Sequence, residues 1–274
     1  MTPNVRPLKA KDFDAWLPLW DGYDSFYRNE VAAEVTENTD GFFGLVAEHD
    51  GDLIGERTHA PYHQHFLVAR LDLDVDGGAV RACVGTHGPV GPVHFDTHTD
   101  TGREVFGAGL SHGTIMGKLV EAGSVDPERY VQIGLRGYWP GEEEFAWQKD
   151  RGITRLFMHE VRDLGIEEVT NRAVEVVGSG PVFLTVDIDV LDPAFAAGTG
   201  TPEPGGMTTV ELPWAVREVA RRLDVVGADM VEVIPTGVGS ADVTALAADR
   251  IVREIPGGIA LHRNEKERQQ KEEA

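Results

Sequence analysis

Residues 182–189 have the sequence VFLTVDID, an apolar run that ends in two carboxylates spaced two residues apart. An unbroken apolar run of this length is typical of a strand that is buried on both faces of a parallel sheet. Residues 93–100, with the sequence VHFDTHTD, repeat this arrangement. The carboxyl ends of parallel strands meet at one edge of the sheet, where such sheets bind ligands. The two stretches therefore predict a mostly parallel sheet with a polar site at that edge.

Strands and helices alternate after residue 80, which predicts an α/β fold with helices on both faces of the sheet. The predicted strands are 42–48, 53–68, 92–96, 130–134, 153–157, 182–187 and 229–234, and the predicted helices are 112–122, 142–151, 164–177, 210–222 and 242–254. An acidic stretch with a Gly-Gly pair, 71–80, is predicted to be a junction. It divides an atypical α+β N-terminal segment, 1–80, from a main domain, 81–262, and a charged tail follows at 263–274.

The composition excludes several classes of protein. The 274 residues suit one large domain, or one domain with a small appendage. With 46 acidic and 25 basic residues the net charge is −21, which disfavours nucleic acids and anionic membranes as partners. A single cysteine, Cys83, excludes internal disulfides, and no apolar run is long enough to span a membrane. Because no secretory signal is visible, the expected location is the cytoplasm.

The polar residues after the two strands are candidate metal ligands. Asp96, His98 and Asp100 would point to one side of an extended chain, and in a turn they could surround an ion. A lone aspartate more often caps a helix or starts a turn, but three acceptors together favour a metal site. Asp187 and Asp189 would share a strand face and repel each other unless a cation lies between them, so we set aside a capping role for Asp187. Oxygen ligands dominate, which favours Mn²⁺ or Mg²⁺ over Zn²⁺, and they suffice for two bridged ions.

The motifs HFDTHTD and TVDIDVLDP resemble those of the ureohydrolase family, which contains arginases and agmatinases. The resemblance extends to SHGT at 111–114, GTGTPEPGG at 198–206 and DMVEVIP at 229–235, and it covers about residues 81–258. It implies a three-layer α/β/α fold, a site for two Mn²⁺ ions and assembly into a trimer or hexamer. The agmatinase group is the nearest, because the loop 101–111 lacks the arginase pattern for an α-amino acid.

The resemblance implies a role for each candidate ligand. Asp96 and Asp187 would bridge the two Mn²⁺ ions. Asp100 would bind the first ion, and His98 and Asp189 would bind the second.

Two further residues receive catalytic and substrate-binding roles by resemblance. His112 would be the histidine that protonates the leaving amine, and Glu232 would hold the guanidinium of the substrate. By residue type alone, His112 would be a helix cap or a surface residue, and Glu232 would pair with an arginine.

One expected ligand is missing. The family carries a histidine in a GGDH motif about two dozen residues before the DxHxD run, and this chain has no GGDH. His87 is the nearest upstream candidate, but it is expected in the loop at the amino end of the next strand. His59, His63 and His65 are another candidate source, although an exposed hairpin face also explains them. Residues 5–66 faintly resemble the start of a GNAT acetyltransferase.

The sequence therefore predicts an enzyme that hydrolyses C–N bonds in linear amidines. The expected reaction is attack of a metal-bridging hydroxide on a guanidino compound, either agmatine or a guanidino acid, which gives urea and an amine. The expected partner is this small cationic substrate. The alternative is a non-catalytic binding or regulatory protein that keeps the fold with an incomplete metal site.

Overall fold

This computed structural model describes residues 4–7, 43–49, 52–60, 64–68, 75–105, 109–234 and 243–273, with side chains described from Ala79 onward. One sheet runs through this part of the chain. Its strands are β1 Asn4–Pro7, β2 Phe43–His49, β3 Asp52–Ala60, β4 Gln64–Val68, β5 Gly91–Phe95, β6 Val131–Leu135, β7 Thr154–Phe157, β8 Pro181–Asp187 and β9 Asp224–Val231. Their spatial order is β1-β2-β3-β4-β9-β8-β5-β6-β7. The first four strands pair antiparallel, and every pairing from β4 to β7 is parallel.

Helices cover both faces of the parallel part of this sheet. They are α1 Val75–His87, α2 Ile115–Glu121, α3 Glu142–Arg151, α4 Met158–Leu164, α5 Ile166–Val177, α6 Glu211–Arg222 and α7 Val243–Glu273. One hydrophobic core lies between the sheet and α4 to α7, and a second lies between the sheet and α1 and α2. Alternate residues of β8 face opposite cores, since Leu184 belongs to the first and Phe183 to the second. The predicted three-layer α/β/α architecture is confirmed.

Several element boundaries differ from the predictions. The helix predicted at 164–177 is α5, which begins two residues later than predicted because Gly165 adopts a φ of 83°, and α4 was not predicted. The strand predicted at 53–68 is two strands, β3 and β4. The last predicted strand, 229–234, begins five residues earlier and ends at Val231.

The C-terminal helix also extends further than predicted. Local propensity ends it before Pro256 and the two glycines that follow, but α7 continues to Glu273. Ile255 and Ile259 are both buried in the first core, so packing on both sides of Pro256 overrides the local signal.

The predicted junction at 71–80 is helical from Val75 onward. Strand β4 precedes this helix and pairs in parallel with β9. The division of the chain at residue 80 stays a prediction. The aromatic-rich segment 12–28, in which a partial helix is expected, lies outside the described residues. Within the described ranges, no helix combines the length and apolarity that a bilayer crossing needs.

The close packing of α7 on α6 gives a test of this layer. A Cβ at the buried Gly258 would lie 2.5 Å from the carbonyl oxygen of Arg217 and 2.6 Å from the Cβ of Ala220, so Gly258→Ala forces the two helices apart. We expect the free energy of unfolding to fall by about 1–3 kcal/mol in chemical denaturation. The adjacent Gly257 has no atom within 4 Å of such a Cβ, so Gly257→Ala is the matched control, with an expected gain of up to about 1 kcal/mol. Equal effects of the two substitutions would contradict this packing.

Candidate functional site

The ends of three neighbouring strands bring the predicted site residues together. The last residue of β5 pairs with Val186 of β8, so Asp96 and Asp187 leave the sheet side by side. Asp187 in turn pairs with the last residue of β9, and Glu232 follows at once. Because all three strands are parallel, these carboxylates gather at one edge of the sheet.

The chain turns directly after β5. Asp96 Oδ1 accepts a hydrogen bond of 2.7 Å from the backbone N–H of His98, and the N–H of Thr97 donates to Asp189 Oδ1 at 3.2 Å. Asp100 adopts a φ of 52°, in the left-handed region that few non-glycine residues occupy. Its carbonyl oxygen accepts from two N–H groups at the start of α2. Of the two arrangements considered for this stretch, the structure shows the turn.

The chain also turns after β8. Asp187 ends the strand, and residues 188–190 form a 3₁₀ turn. Asp187 Oδ1 accepts a hydrogen bond of 2.8 Å from the backbone N–H of Asp189, so Asp187 does cap a turn, and setting that role aside was wrong. Asp187 and Asp189 lie close together because of this turn and not because of strand alternation.

Within the described part of the chain, two groups of side chains have ligand atoms that lie within 4.8 Å of one another. One group is Asp96, His98 and Asp189, and the other is His94, Asp96 and Asp100. Asp96 belongs to both, since Oδ1 lies 3.5 Å from His98 Nδ1 and Oδ2 lies 2.9 Å from His94 Nε2. His98 Nδ1 also lies 3.1 Å from Asp189 Oδ2. Asp96 thus presents one oxygen to each group.

Burial and crowding raise the pKa values of the two carboxyl groups after β8. Burial is the largest cause for Asp187, and the charges of Asp189, Asp96 and Glu232 add to it, so its pKa lies well above the usual range. Burial and the charge of Asp96 raise the pKa of Asp189 to about 6, although His98 opposes this change. A bound cation would remove the repulsion and favour the ionised form of both groups.

Contacts with two histidines lower the pKa of Asp96. Burial alone would raise its pKa, but His94 and His98 hold it below the usual range. For His98, burial lowers the pKa, and its contacts with Asp189 and Asp96 outweigh this effect and raise it to about 11. These contacts favour the protonated form of His98.

His112 and Glu232 meet at the exposed side of the cluster. His112 Nδ1 lies 3.2 Å from Glu232 Oε1, and their side chains are 45% and 18% exposed. His112 starts the 3₁₀ turn before α2, and Glu232 has a φ of 60° just after β9. The partner of Glu232 is therefore His112 and not the arginine that the residue type alone suggests. The structure brings together two residues that are 120 positions apart in the chain.

The other upstream histidines lie elsewhere or outside the described side chains. His87 is the last residue of α1 and is exposed, so it does not lie in a loop as predicted. It does lie at the amino end of β5, as predicted. His59 and His65 occupy paired positions of β3 and β4, and His63 lies outside the described residues.

His94 was not among the predicted site residues, and it is buried in a polar network. His94 Nδ1 lies 2.8 Å from Tyr130 Oη and 3.2 Å from Gln132 Nε2, and Gln148 donates to Gln132 Oε1. The signal was present in the sequence, because His94 begins the every-second-residue series that continues with Asp96, His98 and Asp100.

Arg136 was also missed, and it ties the turn after β8 to the loop 203–206. Its Nη2 donates to the carbonyl oxygens of Asp189 at 2.8 Å and Glu203 at 2.7 Å, and its Nη1 donates to that of Val190 at 3.2 Å. A guanidinium can serve several carbonyls at once because it carries five N–H donors in one plane. No sequence motif marks an arginine whose acceptors are backbone atoms.

The residues present fit one or two metal ions. Asp96 Oδ2 is buried and has no hydrogen-bond partner, which is costly unless a cation completes its contacts. Carboxylate oxygens outnumber imidazoles in both groups, and this donor set suits hard divalent ions such as Mn²⁺ and Mg²⁺.

Comparison with known proteins gives one consistent family. Residues 72–257 match the model of the Arginase family. Guanidinopropionase of Pseudomonas aeruginosa is 43% identical over 203 residues, which are 71% of this chain and 62% of that protein. Guanidinobutyrase of the same organism is 39% identical over 170 residues, or 62% of this chain and 53% of that protein. The structure of proclavaminate amidino hydrolase from Streptomyces clavuligerus superposes with a TM-score of 0.67 at 34% identity, covering 72% of this chain and 64% of that one. The chain thus spans less than two thirds of the length of each relative.

Arg136 offers a test of how the site is held. In Arg136→Lys a single ammonium replaces the planar fork and cannot reach the carbonyls of both segments. We expect the free energy of unfolding to fall by about 1–3 kcal/mol in urea denaturation, because partly buried carbonyls lose their donors. The exposed Arg162 is the matched control, with an expected change within about 0.5 kcal/mol for Arg162→Lys. Equal denaturation midpoints for the two variants would show that Arg136 does not hold these segments.

Proposed function

The chain belongs to the arginase family, and we propose that it hydrolyses a guanidino compound to urea and an amine. The observation that carries the proposal is the His112 and Glu232 pair beside a cluster of three buried carboxylates. The carboxylates suit metal ions, Glu232 suits a guanidinium, and His112 can move a proton. The activity is hydrolysis of a C–N bond in a linear amidine, in a protein expected in the cytoplasm.

Glu232 supports a cationic, planar substrate. A carboxylate can accept two parallel hydrogen bonds from a guanidinium, which fixes the plane of the substrate as well as its position. Its Oε2 faces Gly200, where a Cβ would lie 3.4 Å away, so the loop 198–206 borders this carboxylate. Relatives named guanidinopropionase and guanidinobutyrase support a guanidino acid, and the agmatinases of Escherichia coli and Salmonella support agmatine.

The cofactor that we propose is a pair of Mn²⁺ ions. Asp96 would face both ions, with Asp100 at the first, His98 and Asp189 at the second, and Asp187 as the second bridge. When bound, two such ions lower the pKa of water and so supply a nucleophile at neutral pH. Asp187 would give up its cap on the turn after β8 to serve as a bridge.

His112 is proposed to deliver the proton that the leaving amine needs. Its ring is partly exposed and can exchange protons with solvent, while Glu232 Oε1 holds Nδ1 and orients the ring. When a substrate guanidinium takes this carboxylate, the His112 ring is released next to the reacting group. A histidine in such a position contributes to the rate by general acid catalysis.

The alternative function is a non-catalytic binding or regulatory protein. One observation favours it, which is the absence of a GGDH histidine from the sequence. A homo-oligomer, a trimer or hexamer, is proposed from the family resemblance alone.

Release of urea tests the proposed function. The Mn²⁺-loaded protein would be offered agmatine, 4-guanidinobutyrate, 3-guanidinopropionate and arginine in parallel, and urea would be measured by a colorimetric assay. We expect urea from at least one of the first three compounds, and none after removal of the metal with a chelator. A folded, Mn²⁺-loaded protein that releases no urea from any of them would contradict hydrolysis and favour the non-catalytic alternative.

Substitutions of His112 and of Glu232 should affect different kinetic constants. His112→Asn should keep the bound Mn²⁺ and reduce kcat by about 10²–10⁴-fold, because the proton donor is lost. Glu232→Gln should raise KM by about tenfold or more, because a charge-assisted contact with the guanidinium is lost. Steady-state kinetics and the metal content of both variants check this. Loss of Mn²⁺ from His112→Asn, or an unchanged KM in Glu232→Gln, would show that the roles are misassigned.

A further inference from the structure

His94 has no role in the proposed function, although it lies against the metal cluster. It is 3% exposed, on the same face of β5 as Asp96. Its Nε2 lies 2.9 Å from Asp96 Oδ2, and its ligand atom lies within 4.8 Å of those of Asp96 and Asp100. Two carboxylates and an imidazole thus converge on one point beside β5.

The geometry of this contact fits two ligands of one ion better than a hydrogen bond. Asp96 Oδ2 is buried and makes no hydrogen bond of regular geometry, although His94 Nε2 lies 2.9 Å away. Neighbouring ligands in an octahedral shell, each about 2.1 Å from the ion, lie about 3 Å apart. Both side chains are buried, with His94 3% and Asp96 0% exposed.

The other ring nitrogen has the surroundings of a metal-bound histidine. Nδ1 lies 2.8 Å from Tyr130 Oη, which can accept the N–H of a ring that binds through Nε2. The position of Tyr130 is fixed in turn by Gln132, whose Nε2 donates to Tyr130 Oη at 3.0 Å and to the carbonyl oxygen of Thr99 at 2.6 Å. This network holds the ring in one orientation, with Nε2 toward Asp96.

We propose that His94 Nε2 is a ligand of the first Mn²⁺ ion, together with Asp96 Oδ2 and Asp100, and takes the place of the absent GGDH histidine. This inference rests on the proposed function, because it concerns one of the two ions assumed there. It gives each ion one imidazole, His94 at the first and His98 at the second, with Asp96 between them. It also explains why a chain without GGDH retains the carboxylates of both groups.

Metal stoichiometry in His94→Asn tests the ligand directly. Asparagine keeps a polar group near the position of Nδ1 but has no atom at the position of Nε2. After loading with Mn²⁺ and desalting, elemental analysis should give about two ions per chain for the parent protein and about one for His94→Asn. Electron paramagnetic resonance should change from a spin-coupled pair to isolated Mn²⁺. His87→Asn makes the same change at an exposed site and should keep two ions.

Two further measurements separate a ligand from a residue that only supports the fold. Metal-free His94→Asn should unfold at a lower temperature than the metal-free parent, because buried contacts of the ring are lost, and the further rise on adding Mn²⁺ should be smaller than in the parent. Tyr130→Phe keeps the imidazole but removes the contact at Nδ1, and it should weaken binding of one ion by about 10–100-fold. Pulsed paramagnetic resonance of the parent should show nitrogen coupling from two histidines, and His94→Asn should lose one of them.

The outcomes distinguish this inference from the proposed function. If the parent binds two ions and releases urea, but His94→Asn also binds two, the ligand assignment is wrong and the function stands. Nitrogen coupling from one histidine in the parent would also overturn it, because His94 would then only orient Asp96. Joint replacement of His59, His63 and His65 by Gln should leave two ions, and loss of one would place the ligand there instead. A parent that binds no Mn²⁺ and releases no urea would refute both proposals.

Discussion

Repulsion among three buried carboxylates is the constraint on which the rest of this structure depends. Asp96, Asp187 and Asp189 lie at the ends of two neighbouring parallel strands, where water cannot solvate their charges. Burial and mutual charge raise the pKa of Asp187 well above its usual range and that of Asp189 to about 6. Such a cluster is costly in a folded chain unless positive charge compensates it, and contacts with Asp189 and Asp96 raise the pKa of His98. The site is therefore organised for positive charge before any substrate enters.

The surrounding residues hold this unfavourable arrangement in place. Arg136 fixes the turn that carries Asp189 through its backbone carbonyl oxygens, and this leaves the carboxylate oxygens to face inward. On the other side of Asp96, Tyr130 Oη lies 2.8 Å from His94 Nδ1 and accepts a hydrogen bond from Gln132 Nε2, so His94 is held by a buried network. Rigid support of this kind matters because a metal site tolerates little displacement of its ligands. Asp100, in a left-handed conformation, is held by N–H groups of α2.

The proposed site residues differ in exposure, and their proposed roles differ accordingly. Asp96, Asp187 and Asp189 are buried, whereas His112 and Glu232 lie at the exposed side of the cluster and contact each other at 3.2 Å. In the proposed function, a cationic substrate would take the place of His112 at Glu232. The net charge of −21 favours the approach of a cation over that of an anion. In the proposed chemistry, the partly exposed Glu232 and His112 thus bind the substrate and transfer a proton, and the metal ions at the buried carboxylates activate water.

The sequence by itself determined the parallel sheet and most of its strands, because buried strands are a local pattern. The alternating polar residues that follow two of them predicted Asp96, His98, Asp100, Asp187 and Asp189 as ligands, and that role stays a prediction. The sequence also marked His112 and Glu232, although only through a family resemblance. Local pattern could not decide how the chain turns after β5 and β8, so the capping contact of Asp187 was misjudged. It also placed helix ends wrongly, at Gly165 and around Pro256, where packing against the first core prevails. Only the tertiary structure paired His112 with Glu232 and placed His94 and Arg136 at the cluster, because these contacts join segments that are distant in the chain or are made to backbone atoms that carry no sequence signal.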